Sequence, residues 1–325
     1  MYGLLGGKDE NDNLVFRTKC FDKHKSLLLT THIDTVAHTG KIKPKIEGEK
    51  IRSDGRTILG ADPKSGIASI ITILDYLKSR NKELKNLEFI FSTNEEEGDH
   101  TLQYADIKSK KALVLDNAAP VNEIIYKGPY AKVFEIEVFG KSVYAQLDYS
   151  KGANAIVTLA EIIKNIDWGF YKEGCVANTG TIKGGEATTL VPKYAILKGN
   201  IYCFKEKDLN QYIRNINKAG VKADKKYKTK TKVKILENYK GVRADLRGNF
   251  VEEIKEIYKK NGVRIKFKEM LVISSNNCLG EKNVESINVG LGYKNCHTVK
   301  EEQSLQELTR FTYILLSILE KNYIK

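Results

Sequence analysis

Two of the five histidines in this 325-residue sequence stand in dense polar clusters. His32 lies two residues before Asp34. In a strand, residues i and i+2 share a face, so the imidazole and the carboxylate point the same way. That suits a metal-bound histidine held from behind by a carboxylate. His297 sits in the run Tyr293-Lys294-Asn295-Cys296-His297-Thr298. Between them come Asp62 in Gly60-Ala61-Asp62-Pro63-Lys64-Ser65-Gly66, the triplet Glu95-Glu96-Glu97, and Asp116. Each has an ordinary reading when taken alone. A strand-end histidine is commonly structural, a carboxylate triplet is commonly a solvated face, and a strand-end aspartate commonly caps a helix. Together they carry chemistry, because carboxylates drawn to one place need a cation to offset their repulsion and lost hydration. Imidazole and carboxylate donors without a thiolate suit Zn²⁺, with Co²⁺ or Mn²⁺ as alternatives.

The elements that must position these residues are legible. Residues 27–31, 87–92 (LEFIFS) and 112–115 (ALVL) are short apolar runs, each followed at once by polar residues. They read as buried strands that release His32, the glutamates and Asp116 at their carboxyl ends. Residues 60–66 read as a loop before a helix over 67–77. Strands alternating with helices indicate a mostly parallel α/β sheet, which binds ligands beyond the carboxyl ends of its strands. The texture changes near residue 128. A strand over 133–139, a helix over 153–166, a turn at 180–185, a strand over 194–204, a helix over 207–219 and a strand over 228–235 make a small α+β unit. After residue 239 the α/β texture returns, with a helix over 250–261, a strand over 287–291 and a helix over 303–321. The expected division is therefore 1–127, an inserted 128–237 and 238–325.

Composition narrows the function classes. The length suggests about two domains. Hydrophobic residues at 41% and charged residues at 29% describe a chain with a normal core. The net charge of +13 permits nucleic-acid contact. However, the basic residues are mostly scattered lysines without a nucleic-acid-binding motif, so they read as a solvated surface. The alternation KTKTKVKI at 228–235 reads as an edge strand protected by lysine. Five scattered cysteines without a CxxC pair read as reduced thiols in a cytoplasmic protein. The residues at the amino end are too short and glycine-rich for a signal peptide, and no apolar run is long enough to span a membrane.

The motifs, in order, resemble the di-zinc metallopeptidases that include tripeptidase (peptidase T), aminoacylase, glutamate carboxypeptidase and succinyl-diaminopimelate desuccinylase. His32-Ile33-Asp34-Thr35-Val36 resembles the family's His-x-Asp-Thr-Val, and residues 60–66 its Gly-Ala-Asp-x-Lys-x-Gly. Glu95-Glu96-Glu97-Gly98 resembles its Glu-Glu-x-Gly, and Asp116 its strand-ending aspartate. Gly290-Leu291-Gly292 followed by His297-Thr298 and Glu301 resembles its last signature. The peptidase T branch fits best. The resemblance implies an α/β fold with a mixed, mostly parallel sheet and an inserted α+β lid that can also pair subunits. It implies two zinc ions bridged by Asp62, with His32 and Asp116 on one and Glu96 and His297 on the other. Asp34 orients His32, and Glu95 is the general base.

The pattern is incomplete in the lid. Tyr144 stands where the family has a histidine, Thr189 where it has an asparagine, and Tyr202 where it has an arginine that grips a substrate carboxylate. Ser274-Ser275-Asn276-Asn277 replaces Ser-Asp-Ala-Asn, which leaves Asn277 as the matching member. Two helices that precede the first strand in the family have no counterpart here, which raises the expectation of uncovered apolar surface on the sheet unless a partner or a rearranged element covers it. The leading expectation is a zinc hydrolase cleaving an amide in a small peptide or N-acyl amino acid, with no nucleic-acid or membrane partner, as a monomer or a lid-mediated homodimer. The alternative is a metal-binding relative with weakened catalysis that acts in binding or assembly.

Overall fold

A computed structural model describes residues 3–98 and 101–325. Contacts divide the chain into two compact units, one of Met1–Lys127, Val242–Met270 and Ser274–Lys325, the other of Gly128–Gly241 and Leu271–Ile273.

The apolar runs of the first unit build one mixed sheet. Among the described residues it has nine strands, in the order Leu4–Lys8, Leu14–Thr18, Leu87–Ser92, Leu27–His32, Lys111–Val114, Glu285–Val289, Glu123–Gly128 and Val242–Arg243, with Lys266–Glu269 added on Glu123–Gly128. The four strands in the middle, from Leu87–Ser92 to Glu285–Val289, are parallel neighbours. The register sets His32 opposite Ser92 and sets Val114 opposite both Thr30 and Asn288, so their carboxyl ends share one edge. Alternation of side chains sends Leu27, Leu29, Phe89, Leu113 and Ile287 to one face. There they pack with helices Ala61–Ser79, Asn249–Lys260 and Leu305–Asn322. Leu28, Ile90, Ala112 and Val114 point to the other face. Each fully buried leucine or isoleucine contributes roughly 1.5–3 kcal/mol, so both faces must be covered. Helix Ser275–Glu281 and the segment around Leu102 and Ala105 cover the second. Of the two expected outcomes, exposure or cover by another element, cover is found at these four residues, which are sealed from solvent. A hairpin of Leu4–Lys8 and Leu14–Thr18, unforeseen from the sequence, extends the sheet beyond Leu87–Ser92. A separate four-stranded sheet of Tyr293–Lys294, Glu302–Ser304, Lys50–Arg52 and Lys45–Glu47 was also unforeseen.

The second unit is an antiparallel sheet ordered Gly169–Lys172, Cys175–Gly184, Tyr194–Cys203, Tyr130–Phe139, Lys230–Tyr239. Helices Ala155–Lys164 and Glu206–Tyr227 pack their apolar stripes on it. The turn expected at 180–185 is mostly strand, and the chain leaves the ladder only at Gly185, whose φ of 79° suits glycine. The lysine-rich strand lies at the sheet edge. Its Lys234 meets Glu137 at 2.5 Å and Glu135 at 3.4 Å on the neighbouring strand. Lys234 is therefore a partner of cross-strand carboxylates.

The expectation of five reduced thiols is corrected. Cys175 and Cys203 form a disulfide, because the register sets them opposite one another on adjacent strands with Cα atoms 4.2 Å apart. A separation of 28 residues hides that adjacency in the sequence. Among the described residues, no helix is long and apolar enough to cross a membrane.

Candidate metal centre

Five sequence-distant segments deliver their polar groups to the shared edge of the parallel strands. His32 is the last residue of Leu27–His32, and its side chain is only 1% exposed. Its Nε2 faces Asp62 Oδ1 at 3.7 Å, Asp116 Oδ1 at 3.7 Å and Glu95 Oε2 at 3.8 Å. These separations are too long for hydrogen bonds. They approach the spacing of donor atoms around one ion, since two ligands about 2.0–2.1 Å from a tetrahedral zinc stand about 3.4 Å apart. On the other side of Asp62, His297 Nε2 lies 3.1 Å from Asp62 Oδ2 and 2.9 Å from Glu96 Oε1. Asp62 thus turns one carboxylate oxygen to each histidine. His32 is buried, whereas the His297 side chain is 46% exposed, so the centre opens to solvent on that side.

Local structure explains how these groups are held. The helix Ala61–Ser79 is interrupted at its start, where Asp62 (φ −79°, ψ 110°) and Pro63 depart from helical geometry. The expected loop over 60–66 is accordingly shorter, and the helix is regular soon after Pro63. Glu301, 1% exposed, accepts the backbone N–H groups of Leu59 at 2.8 Å, Gly60 at 2.7 Å and Asp62 at 3.0 Å. Tyr293 donates its hydroxyl to Asp62 Oδ1 at 3.1 Å. Further along the helix, Gly66 lets the chain press against the strand end before Asp116, since a Cβ there would stand 2.8 Å from Leu115 Cβ. Asp34 Oδ1 lies 3.3 Å from His32 Nδ1, and Asp34 Oδ2 accepts the backbone N–H of Glu96 at 3.0 Å. One carboxylate therefore braces a histidine and ties down the glutamate loop. Asp116 is held by Asn288, whose side chain accepts the Asp116 N–H at 3.2 Å and donates to the Asp116 carbonyl at 2.7 Å.

Five carboxylates and two imidazoles so close together perturb one another. Burial would push His32 down, but the carboxylates of Asp116, Asp34 and Asp62 outweigh it and push His32 up to about 12. Burial would push Asp34 up, but His32 and the N–H groups of Glu96 and Glu95 hold it at about 2. Burial, then the charge of Asp116, pushes Glu95 up to about 8. Burial and neighbouring carboxylates also raise Glu96 and Asp116. Burial opposes ionisation of Asp62 too, but His32 prevails and lowers it. Without a cation, the centre must therefore keep protons among its carboxylates. A donor set of imidazoles and carboxylates with excess negative charge fits divalent cations of the zinc type.

The structure brings together His32, Asp34, Asp62, Glu95, Glu96, Asp116 and His297. The remaining candidates have other local settings. Asn277 lies in the first turn of Ser275–Glu281, where its side chain accepts the Ser274 N–H in a capping box, a helix-initiating task. Tyr144 and Thr189 are neighbours in the second unit, with Ala145 N donating to the Thr189 carbonyl at 2.9 Å. Tyr144 is 54% exposed. Tyr202 lies eight residues beyond Tyr194 on the strand Tyr194–Cys203, about 27 Å along extended backbone. Within the second unit, Tyr202 is thus remote from the loops that carry Tyr144 and Thr189. Sequence reasoning missed the anchoring tasks of Glu301 and Tyr293, although both lie in the last motif. It also described the centre as free of thiol. Cys296 stands in it, grouped with Asp62 and His297 within metal-ligand range.

The sequence model of Peptidase family M20/M25/M40 matches residues 28–321. A protein of Bacillus subtilis called uncharacterized protein YqjE is 26% identical over 312 residues, covering 95% of this chain and 84% of that protein. Peptidase T of Fusobacterium nucleatum is 23% identical over 292 residues, covering 86% of this chain and 69% of that enzyme. The crystal structure of the aminopeptidase PepT from Bacillus cereus superposes with a TM-score of 0.89 at 26% identity, over 98% of this chain and 89% of that one. A Bacillus subtilis protein described as a dinuclear metal-binding peptidase shares the fold with a TM-score of 0.72 at 16% identity, over 98% of this chain and 87% of that one.

Proposed function

The chain belongs to peptidase family M20/M25/M40 and is a metallopeptidase, and from that premise we propose that it is a peptidase T-like aminopeptidase acting on small peptides. The observation that carries the proposal is the arrangement about Asp62, with His32 facing one carboxylate oxygen and His297 the other. The likeness to Peptidase T and to the aminopeptidase PepT supports the peptide substrate over an N-acyl amino acid.

In this reading Asp62 would be shared between two cations, zinc being the best match to the donors, with His32 and Asp116 holding one and Glu96 and His297 the other. Such a cation pair supplies Lewis acidity, which makes water acidic near neutral pH and polarises the scissile carbonyl. The protein's own groups do the rest. Asp34 keeps the His32 ring oriented with its Nε2 toward Asp62. Glu301 and Tyr293 hold Asp62 so that both carboxylate oxygens stay directed at the histidines. Glu95 has the position of a general base, with its Oε2 3.8 Å from His32 Nε2, and burial and the charge of Asp116 strengthen its hold on a proton. Its carboxylate takes the proton from water and hands it to the departing amine. The replacements Thr189 and Tyr202 remove an amide and a guanidinium from the family's substrate-gripping set, so recognition of the substrate's carboxyl end should differ from that of peptidase T.

The cytoplasmic expectation keeps the free cysteines Cys20, Cys278 and Cys296 as support and loses that of Cys175 and Cys203. A panel of di- and tripeptides and N-acyl amino acids, assayed with added zinc, cobalt or manganese, tests the proposal alongside Glu95→Gln. The expected result is metal-dependent release of amino-terminal residues, reduced about 10²–10⁴-fold by Glu95→Gln with metal content unchanged. Metal uptake without any Glu95-dependent turnover would refute it and restore the binding-protein reading.

A further inference from the structure

We propose that Cys296 is a thiolate ligand of the cation held by Asp62, Glu96 and His297. The inference rests on the metal reading above and adds a sulfur donor that the imidazole-and-carboxylate set lacks. The Cys296 sulfur, an Asp62 carboxylate oxygen and a His297 ring nitrogen all lie within 4.8 Å of one another. Zinc–sulfur and zinc–nitrogen bonds of about 2.3 and 2.0 Å set tetrahedral donors about 3.5 Å apart, so the three groups need only close in on an ion placed among them.

The backbone explains how two successive residues reach one carboxylate. In an extended chain, neighbours point to opposite sides. Here Asn295 and His297 both take the left-handed conformation, with φ of 55° and 65°. Such φ values are uncommon outside glycine and cost energy, so they persist where surrounding structure requires them. They bend the segment so that Cys296 and His297 both address Asp62. The thiol is partly buried and free of any disulfide. Its ordinary alternative is that of a small apolar filler, since Cys296 also packs at the margin of the main core. A second alternative is a thiol that donates a hydrogen bond to the Asp62 carboxylate, and such a thiol would give no sulfur–metal absorption band.

Coordination would replace the sulfur–hydrogen bond with a sulfur–metal bond and release that proton to solvent. A soft donor favours zinc, cobalt or cadmium over manganese or magnesium. It also makes the centre a target for thiol oxidation or alkylation when the metal is absent.

Titration of the intact, metal-stripped protein with Co²⁺ tests the assignment by absorption. A thiolate bound to cobalt gives a near-ultraviolet charge-transfer band that imidazole and carboxylate do not. The band should appear with one of the two cobalt equivalents, be lost in Cys296→Ser and Cys296→Ala, and persist in Cys20→Ser. The preference for Cd²⁺ over Mn²⁺ should fall at least about tenfold in Cys296→Ser. Should the variants misfold, iodoacetamide labelling of the wild-type protein, read by peptide mass, serves instead. Metal should suppress labelling of Cys296 and leave that of Cys20 unchanged. Cobalt binding without the band, with metal-independent labelling of Cys296, would overturn the thiolate and leave the nitrogen–oxygen centre standing. No cobalt binding at all would overturn both.

Discussion

Glu301 offers the sharpest test of how the centre is held. Its carboxylate accepts three backbone N–H groups of the segment that carries Asp62, two on Oε2 and one on Oε1. Glu301→Gln keeps the shape but leaves one oxygen. In the better amide orientation that oxygen serves Leu59 and Gly60, and the new NH₂ confronts the N–H of Asp62, donor against donor. One hydrogen bond to a charged acceptor is lost, at about 1.5–3 kcal/mol. Two more fall from charge-assisted to neutral strength, at about 1 kcal/mol each. The expected destabilisation is about 3–5 kcal/mol, large because Glu301 is 1% exposed and water cannot replace the bonds. Loosening Asp62 should also weaken metal binding by about 10–100-fold, the usual effect of removing a group that orients a ligand. Urea unfolding of the metal-stripped protein measures the first effect and competition with a chromophoric chelator the second. A purely structural Glu301 would lower stability and leave the metal affinity of the folded protein unchanged. A variant within about 0.5 kcal/mol of wild type, with the same metal affinity, would refute the anchoring role outright.

Three further outcomes are expected. Glu95, raised from 4.5 to about 8, binds a proton in the folded state that the unfolded state has released. Its contribution is therefore present below pH 4.5 and lost as pH rises towards 8, by at most about 5 kcal/mol. His32, raised from 6.5 to about 12, adds a loss that begins above pH 6.5. The metal-stripped protein should thus lose stability between pH 5 and pH 8 in denaturant titrations, and stability that is flat or rising over that window would contradict the charge assignment. Gly66→Ala would put a methyl group 2.8 Å from Leu115 Cβ and 3.0 Å from the Leu115 carbonyl. It should cost about 1–3 kcal/mol by overpacking and disturb Asp116 next in sequence, which thermal unfolding and metal titration would register together. Asp34→Asn keeps the acceptor for the Glu96 N–H and removes the charge behind His32, so metal affinity should fall about 10–100-fold with little change in global stability, as chelator competition beside a melting curve would reveal.

The candidate donors, and the sheet edge on which they gather, were legible from the order of residues alone. Short apolar runs such as LEFIFS read as buried strands, and each is followed by the polar residues of the candidate centre. The change of texture near residue 128 raised the expectation of an inserted unit, and the alternating lysines marked an edge strand, where Lys230–Tyr239 lies. Tertiary structure decided everything that depends on register and side-chain direction. It turned one oxygen of Asp62 to His32 and the other to His297, and it set Glu301 against backbone more than 230 residues earlier. It joined Cys175 to Cys203, and it carried Tyr202 away from Tyr144 and Thr189. It also covered the second face of the sheet with Ser275–Glu281, a helix too short to announce its partner. The physical reason is common to all of these. Local propensity and hydrophobic period specify an element and its buried face, whereas the pairing of distant segments is chosen by packing and polar satisfaction across the whole unit.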